Sequence, residues 1–401
     1  MKETQSILFF RAYPGIDGTI TLIIRLGKEL KKRGWTVYFL LHNRSFGTDL
    51  VQLMEEFSQV IYSDELDQLQ QQNRLPEFDY IHAMAGGDAL IWIYGKAKKK
   101  YFSKAAIVFG IYHPRAYVTL TYLGRTPDTR MMKHFLKSLP ASNLTFMNNA
   151  VREAVSGYFG IDFSKSRIIP IPISVPDQYR QRESVDHYKI VSIGRLVEFK
   201  DYINPVIGVI KKLREKGSLL EYHVYGGGPL LQQIQRNVAD LEAGDYVHIH
   251  GELPYSQFTK VVEDAHLFIG MGTAILEASA LGIPSLLAIE SNGSKTYGWF
   301  FDQQGYEVGE VKAGETAHEY DRFIEGSLKE NVNEYAANCI KSWQKARSFS
   351  IESIVDEYIH FLESADKDYV YEYSQTKQML LKLKRQLYKW DFLIKNNYKH
   401  R

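Results

Sequence analysis

The stretch between residues 190 and 290 decides the fold. It contains IVSIGRL at residues 190–196, YHVYGGGP at 222–229, HIHG at 248–251 and FIGMGTAILEASALGIP at 268–284. Each short apolar run breaks at a glycine, and segments with helical periodicity follow. This alternation is typical of a parallel sheet, in which each strand leads into a ligand-facing loop and then a helix.

The N-terminal part of the chain repeats this pattern. Residues 6–41 predict one βαβ unit, with a loop at residues 11–18 that contains a proline and two glycines. A glycine loop at a helix start offers backbone N–H groups to a phosphate. Gly15 and Gly18 are therefore candidate ligand contacts, and the alternative is that they only make a tight turn.

The length of the chain predicts two α/β domains. At 401 residues it exceeds what one ordinary core holds. We expect a first domain over residues 1–175, a polar linker over 176–188 and a second domain over 189–350. Residues 351–401 are expected to form C-terminal helices with a basic amphipathic tail.

Composition excludes several classes of protein. With 45% apolar and 24% charged residues, the chain is expected to fold as a globular protein. Lys+Arg 49 against Asp+Glu 47 gives a net charge of +2, which does not favour nucleic-acid binding. The single cysteine, Cys339, excludes a disulfide framework and favours a reducing compartment. No long uncharged apolar run is present, so we expect a cytoplasmic protein without a membrane span.

One histidine and one arginine follow a predicted strand of the first domain. Residues 105–111 are strand-like and lead into His113 and Arg115. This edge of an open α/β sheet usually presents ligand-contacting groups. His113 is therefore a candidate catalytic group, and both His113 and Arg115 are candidate contacts to a substrate that accepts a transferred group. The alternative for His113 is a surface loop position.

The C-terminal tail is basic. From residue 377 onward it carries eight Lys/Arg against the single acid Asp391, with apolar residues at roughly helical spacing. A basic amphipathic helix of this kind either lies on an anionic membrane surface, through residues 377–401, or packs on the protein with solvated lysines. The sequence leaves both open, and the first would place the protein peripherally at the inner face of the membrane.

Several short motifs follow one another in a distinctive order. They are Gly194-Arg195-Leu196 with Lys200, Gly226 and Gly228 with Pro229, Gly251, Leu276-Glu277-Ala278 and Gly282-Ile283-Pro284. In this order they resemble the C-terminal half of the retaining family 4 glycosyltransferases. The resemblance implies a GT-B fold, in which two Rossmann-like β/α/β domains face a central cleft, here with a C-terminal helical extension.

The resemblance implies that Arg195 and Lys200 hold the diphosphate of a nucleotide-sugar donor. Elementary chemistry agrees, because two fixed cations stabilise the charge that develops on a leaving diphosphate. No metal ligand is then needed, and we expect activity in the presence of a chelator. Solvated surface positions are the alternative for both side chains.

The remaining donor-binding candidates lie on glycine loops and one helix. By the same resemblance, Glu277 accepts hydrogen bonds from the ribose hydroxyls, and Gly272 and Thr273 offer backbone N–H groups to phosphate or sugar. The alternative for Glu277 is an acid in the first helical turn, favoured by the helix dipole. Gly226 and Gly228 either let the backbone approach the nucleotide or only form a turn.

One position departs from the family pattern. The family has two glutamates eight residues apart, whereas counting back from Glu277 gives Ile269. The carboxylate usually found near the donor sugar is therefore absent at that position. Asp17, Glu290 or a backbone carbonyl are the alternatives for its role.

The function implied is transfer of a sugar from a nucleotide-diphosphate sugar to an acceptor hydroxyl, with retention and without a cofactor. The acceptor is expected to be a saccharide or a lipid-linked saccharide of surface polysaccharide assembly. Ile269 favours a rival interpretation, a non-catalytic GT-B subunit that is the partner or chaperone of another protein. A nucleotide-sugar epimerase is a third interpretation, although the stretch 190–290 has fewer acids and histidines than we expect for that chemistry.

Overall fold

The computed structural model describes residues 4–12, 18–115, 117, 120–121, 124–125, 127–179, 188–374 and 376–386. The chain divides into two units. Unit 1 comprises Met1–Pro170 and Ile354–Arg401, and unit 2 comprises Ile171–Ser353.

Nine strands lie in the described part of unit 1. They are β1 Ser6–Arg11, β2 Thr36–Leu41, β3 Gln59–Tyr62, β4 Tyr80–Met84, β5 Ala106–Ile111, β6 Leu120–Thr121, β7 Gly124–Arg125, β8 Leu144–Phe146 and β9 Arg167–Ile168. Seven of them form one sheet in the order β3-β2-β1-β4-β5-β8-β9, in which all neighbours are parallel. β6 and β7 form a separate antiparallel pair.

Helices follow the strands of unit 1. They are α1 Gly18–Lys32, α2 Thr48–Glu55, α3 Leu66–Gln71, α4 Gly87–Ile91, α5 Lys98–Lys100, α6 Pro127–Ser138 and α7 Asn149–Phe159, with a π-helical turn at Trp92–Ala97 between α4 and α5. The central strands β1, β4 and β5 are buried along their whole length, as their continuous apolar sequences predict for a parallel sheet covered on both faces.

The residues of unit 2 that the structure describes form a sheet of seven strands. They are β10 Tyr188–Ile193, β11 Leu220–Tyr225, β12 Val247–Ile249, β13 Leu267–Gly270, β14 Ser285–Ala288, β15 Lys295–Trp299 and β16 His318–Glu319. Their order is β12-β11-β10-β13-β14-β15-β16, and the first five are parallel. The antiparallel β15 and β16 extend the sheet beyond the strands that the sequence pattern predicts.

Among the described residues of unit 2 there are six further helices: α8 Ile203–Glu215, α9 Leu231–Asp240, α10 Phe258–Val262, α11 Thr273–Ala280, α12 Tyr320–Ser327 and α13 Val332–Arg347. Buried side chains of the central strands, such as Ile190, Tyr222 and Ile269, pack in one core with apolar residues of α8, α9 and α12. The predicted class is confirmed, since each unit is a parallel-sheet α/β layer structure of the Rossmann type.

Both sheets reverse their strand order at one point, between β1 and β4 in unit 1 and between β10 and β13 in unit 2. Loops that follow the carboxyl ends of such strands usually bind the ligand. The loops after β10 and β13 carry Arg195, Lys200 and Gly272, so three of the predicted contacts lie at the expected edge.

The C-terminal part of the chain packs on unit 1. Helix α14, Ile351–Glu363, places the Tyr358 hydroxyl 2.7 Å from Nδ1 of the buried His82 in β4. The Lys98 ammonium donates to three carbonyls, those of Ser103 at 2.8 Å, Ala105 at 2.6 Å and Lys367 at 2.7 Å. The segment after α14 is thereby tied to the first part of the chain, across more than 250 residues of sequence.

No helix within the described ranges is long and apolar enough to cross a membrane.

We predict that Lys98→Met destabilises the protein. Lys98 is 2% exposed, and its removal takes a charged donor away from three backbone acceptors. The free energy of unfolding is expected to fall by roughly 3 kcal/mol in a denaturant titration, because an acceptor that stays buried without its partner is costly. The matched control is Lys99→Met, which removes only a surface pair with Glu372 and is expected to cost less than about 1 kcal/mol. Equal stability of the two variants would contradict the structural role of Lys98.

Candidate functional site

Three loops in the described part of unit 2 meet at the carboxyl edge of its sheet. The loop after β10 binds the loop after β11, since the Leu196 N–H donates to the Gly227 carbonyl at 2.9 Å and the Leu230 N–H donates to the Leu196 carbonyl at 3.1 Å. The loop after β14 joins them, because the Ser291 N–H donates to the Phe199 carbonyl at 2.9 Å. Backbone hydrogen bonds thus fix the segment that carries the two predicted cations.

Glycine is required where the first two loops touch. Gly226 has φ +152°, and a Cβ there would lie 1.9 Å from the Gly194 carbonyl oxygen. Gly228 has φ +146°, and a Cβ there would lie 2.4 Å from the Leu196 carbonyl oxygen. Both positions therefore have a structural role in packing one loop against the other, whatever they offer to a ligand.

Lys200 and Arg195 lie on one short segment. Lys200 ends a 3₁₀ turn, Glu198–Lys200, and a methyl group placed on Gly194 would lie 3.6 Å from its Nζ. Burial and, to a smaller extent, the neighbouring Arg195 charge lower the pKa of Lys200, the Glu290 carboxylate opposes this shift, and the resulting pKa is about 8. Arg195 itself is exposed. Two cations therefore share one segment, where an anion would relieve their mutual repulsion.

Glu290 is the buried carboxylate of this group. It follows β14 and is 4% exposed, and its backbone N–H donates to the Gly309 carbonyl at 2.8 Å. Its charge favours the protonated form of Lys200. Asp17, the other side chain considered for the missing carboxylate, lies outside the described residues, as does Gly15.

Helix α11 begins directly after a two-residue turn. Gly272 has φ +69° and caps the helix, and its N–H donates to the Val308 carbonyl at 2.7 Å. Thr273 is the first helical residue, and Glu277 follows one turn later on the same side. The first turn of α11 holds no acidic residue, so the helix-dipole interpretation of Glu277 does not apply.

The position of Ile269 explains the departure from the family pattern. Ile269 is inside β13, 0% exposed, in the apolar core, and only Met271 and Gly272 separate this strand from α11. A carboxylate at this position would be buried among apolar side chains without a partner.

The segment around Val308 was not predicted as part of the site. Besides the hydrogen bond to Gly272, it places Gly309 against the turn, where a Cβ would lie 2.7 Å from Cβ of Met271. The Val308 N–H donates to Oε2 of Glu310 at 2.8 Å, which fixes this buried acid. Only the glycine at a turn marks this segment in the sequence, and that signal is too common to identify a site.

In unit 1, the predicted candidates follow β1 and β5. Gly18, predicted as the last residue of the loop, is the first residue of α1. His113 is half-buried, and its Nδ1 accepts from the Arg115 N–H at 3.0 Å, so a neutral ring carries its proton on Nε2. The Arg115 side chain is exposed. Both residues lie on the loop after β5, the strand that pairs with β4 on one side and β8 on the other.

Two arginines of unit 1 that were not predicted as contacts make hydrogen bonds near the ends of β1 and β4. Arg11, the last residue of β1, is 6% exposed and donates to Thr19 Oγ1 at the start of α1. Arg385, from the tail, donates to Asp128 Oδ2 at 3.2 Å and to Asp88 Oδ2 at 2.8 Å. Arg385, Asp88 and the Gly86-Gly87 loop after β4 line a cavity of about 440 Å³. No local pattern could have joined Arg385 to acids more than 250 residues earlier.

Side chains with the spacing of metal ligands lie outside the loops described above. The only group of His, Cys, Asp and Glu side chains with such spacing in the described ranges lies on β11 and β12, outside the loops that carry Arg195 and Lys200. These loops can bind an anion through their cations and through the N-terminus of α11.

Comparisons with known proteins agree with this arrangement. Residues 177–338 match the family described as glycosyl transferases group 1, and the matched segment coincides with most of unit 2. A segment of 144 residues is 25% identical to a putative colanic acid biosynthesis glycosyltransferase, WcaL, of Escherichia coli, and covers 33% of each chain. Another of 108 residues is 28% identical to the amylovoran biosynthesis glycosyltransferase AmsK of Erwinia amylovora, and covers 24% of this chain and 26% of the relative. The matched segments thus span about a third or less of these relatives' length.

Solved structures match over most of the chain. A glycosyltransferase from Rickettsia africae has a TM-score of 0.67 at 13% identity, over 90% of this chain and 98% of the other. Anabaena Alr3699/HepE, in complex with UDP-glucose, has a TM-score of 0.61 at 15% identity, over 90% and 99%. The predicted resemblance to GT-B glycosyltransferases is confirmed, and the assignment to family 4 stays a prediction.

Proposed function

We propose that this protein is a glycosyltransferase that moves a sugar from a nucleotide-diphosphate sugar to an acceptor hydroxyl. The observation that carries the proposal is the pair of cations, Arg195 and Lys200, on the loop after β10. That loop leaves the sheet at the point of strand reversal, where β13 leads into α11 on the other side.

In this proposal, unit 2 binds the donor. Arg195 and Lys200 contact the diphosphate, and the backbone N–H groups of Gly272 and Thr273 contact phosphate or sugar. Glu277, one turn into α11, accepts hydrogen bonds from the ribose hydroxyls. The Anabaena structure named above contains UDP-glucose, which supports a uridine nucleotide as the first donor to test.

The cations would act on the leaving group. When the bond between the sugar and the diphosphate breaks, negative charge grows on the diphosphate oxygens. Backbone hydrogen bonds fix the loop that carries Arg195 and Lys200, so the backbone need not rearrange for these cations to stabilise this charge. We therefore propose a reaction that needs neither a metal ion nor a cofactor and that continues in a chelator.

Retention of configuration is part of the proposal, and it needs a group near the donor sugar. Ile269 cannot supply one, because it is buried in the core of unit 2. We assign this role to Glu290, whose carboxylate acts on Lys200 from the loop after β14. The Glu290 carboxylate would stabilise the positive charge that develops on the sugar as the leaving group departs.

The acceptor would bind to unit 1, with His113 and Arg115 as contacts. Two of the relatives are named for the biosynthesis of colanic acid and amylovoran. Those names support a saccharide or lipid-linked saccharide acceptor from surface polysaccharide assembly. The comparisons offer no support for the non-catalytic alternative.

Nucleotide binding tests the proposal. We expect UDP, or else GDP or ADP, to raise the thermal midpoint of the wild type, whereas CMP, which lacks a diphosphate, should not. A ligand at about 100 times its Kd stabilises by roughly 2.7 kcal/mol, which a thermal-shift assay detects. Arg195→Ala should lose the shift because one of the two diphosphate contacts is gone.

The control is Arg236→Ala, an exposed arginine on α9 of the same unit, which should keep the full shift. If no nucleoside diphosphate stabilises the wild type, the transferase proposal fails. If Arg195→Ala and Arg236→Ala behave alike, the diphosphate site lies elsewhere.

The affinity for the nucleoside diphosphate is predicted to fall above about pH 8. The pKa of Lys200 is lowered to about 8, so its ammonium loses the proton as the pH rises through that value. The Kd should increase by up to about tenfold per pH unit until the higher pKa of the complex is reached. Lys200→Arg keeps its charge throughout and should flatten this dependence in calorimetric titrations between pH 7 and 10. An unchanged pH profile in Lys200→Arg would show that another group titrates.

We also propose that the tail contacts an anionic membrane surface. In the helical segment 376–386, Leu381 is 4% exposed and faces inward, whereas Met379, Leu380 and Leu383 are 66%, 48% and 48% exposed. Lys377, Lys382 and Lys384 lie in the same segment. Exposed apolar side chains among lysines support insertion at a lipid headgroup layer. The rest of the basic tail, residues 387–401, lies outside the described residues.

Vesicle binding tests the tail. The wild type should sediment with vesicles that contain an anionic lipid, and a variant with Met379, Leu380 and Leu383 all changed to Gln should bind at least about tenfold more weakly, because each side chain loses on the order of 1 kcal/mol of apolar transfer. Leu219→Gln removes an 81% exposed leucine of unit 2 and should bind like the wild type. Equal binding of the triple variant would assign the exposed face to another role.

A further inference from the structure

Four polar side chains cluster on the outer face of strands β11 and β12. Along β11, Leu220, Tyr222 and Val224 are buried, so the alternation directs Glu221 and His223 to the opposite face. His223 lies directly opposite His248 in the parallel pairing of β11 with β12. His250 follows on the same side of the chain as His248.

Three of these side chains have the spacing of metal ligands. One ligand atom each of Glu221, His223 and His248 lies within 4.8 Å of the other two. Oε2 of Glu221 is 3.1 Å from Nε2 of His223 and 3.8 Å from Nε2 of His248. Bonds of about 2.0–2.2 Å to a tetrahedral zinc ion put ligand atoms at separations of this size.

We propose that Glu221, His223 and His248 bind a divalent transition-metal ion of the zinc class. Two imidazoles and one carboxylate suit Zn²⁺, Co²⁺ or Ni²⁺, whereas Mg²⁺ and Ca²⁺ require oxygen ligands. Three protein ligands leave one position of a tetrahedral ion for water. The proposal does not rest on the proposed transferase activity, because none of these residues belongs to the loops assigned to the donor.

His250 supplies the support that a ligating histidine usually has. Its Nε2 lies 3.0 Å from Nδ1 of His223, and its ring stacks on His223 at 5.2 Å and on Tyr225 at 4.2 Å between centroids. When Nε2 of His223 binds the ion, the proton is on Nδ1, and this N–H donates to His250. Such a partner fixes both the tautomer and the orientation of the ligand ring.

A simpler state of the same residues is a hydrogen-bonded cluster. There, the Nε2–H of His223 donates to Glu221, and Nδ1 accepts from His250. The two states differ in the tautomer of His223 and in metal content, so the test must distinguish a bound ion from hydrogen bonding alone.

A bound metal ion would connect the neighbouring strands β11 and β12. Glu221 and His223 are on β11, His248 is on the three-residue edge strand β12, and the ion would add a cross-link to their short ladder. Gly251, directly after His250, accepts from the Gly226 N–H at 2.6 Å. The ion would thus stabilise the strand ends that lead into the glycine loops.

The test is metal titration of the full chain, without a polyhistidine tag and stripped of metals with a chelator. We expect one equivalent of Co²⁺ to give the visible absorption of a four-coordinate ion, and Zn²⁺ to displace it. His223→Gln and His248→Gln should each remove the signal. His250→Phe keeps the ring stacking but not the acceptor, and should weaken binding by about 10–100-fold.

Two control variants remove other ligand types. His360→Gln changes an exposed histidine of α14, and Cys339→Ser changes the single, buried cysteine, and both should bind like the wild type. Circular dichroism of each metal-free variant checks that it is folded. Absence of a Co²⁺ spectrum in the wild type, or the same spectrum in the His223→Gln, His248→Gln double variant, would overturn the proposal and leave the cluster as a hydrogen-bonded surface group.

Discussion

The site in unit 2 depends on the contact between two backbone loops. The loops after β10 and β11 approach so closely that a single Cβ at Gly226 would overlap the Gly194 carbonyl oxygen. The Leu196 N–H and carbonyl are both used in hydrogen bonds to the second loop. Arg195 is therefore the side chain between two residues whose backbones are fixed, and the direction in which its loop leaves the sheet is set before any ligand binds.

Charge balance follows from the same packing. Lys200 is brought close to Gly194 and to the charge of Arg195, and both burial and that charge disfavour its protonated form. Glu290 offsets this from the neighbouring loop, whose Ser291 N–H is bonded to Phe199. Lys200 is therefore mostly protonated at neutral pH, but its charged form is only slightly favoured over the neutral form. A bound diphosphate would add favourable interactions with both cations.

Features that depend on local pattern could be predicted from the sequence. Apolar runs that break at glycine predicted the parallel strands, and the motifs around Arg195 and Glu277 lie at the carboxyl edge, where this kind of fold presents ligands. Interactions between distant segments could not be predicted. The return of α14 to His82 and the pairing of Arg385 with Asp128 join parts of the chain with no local signal. The cluster around His223 likewise forms only through the register of β11 with β12. The absence of a glutamate at position 269 was visible, but its reason, a direct passage from a buried strand into α11, required the structure.

The two interpretations of the tail, packing on the protein and contact with a membrane, use different faces of one helix. Arg385 is held by Asp128 and Asp88, and Leu381 is buried, so one face of the segment 376–386 is committed to unit 1. A helix anchored in this way cannot turn its other face inward, because residues three and four positions apart share a side. Met379, Leu380 and Leu383 consequently stay in solvent in the isolated protein, at a cost in free energy that no contact within the described residues repays. Packing on unit 1 is thus what presents the apolar face outward, and the ion pairs of Arg385 fix the orientation of the segment.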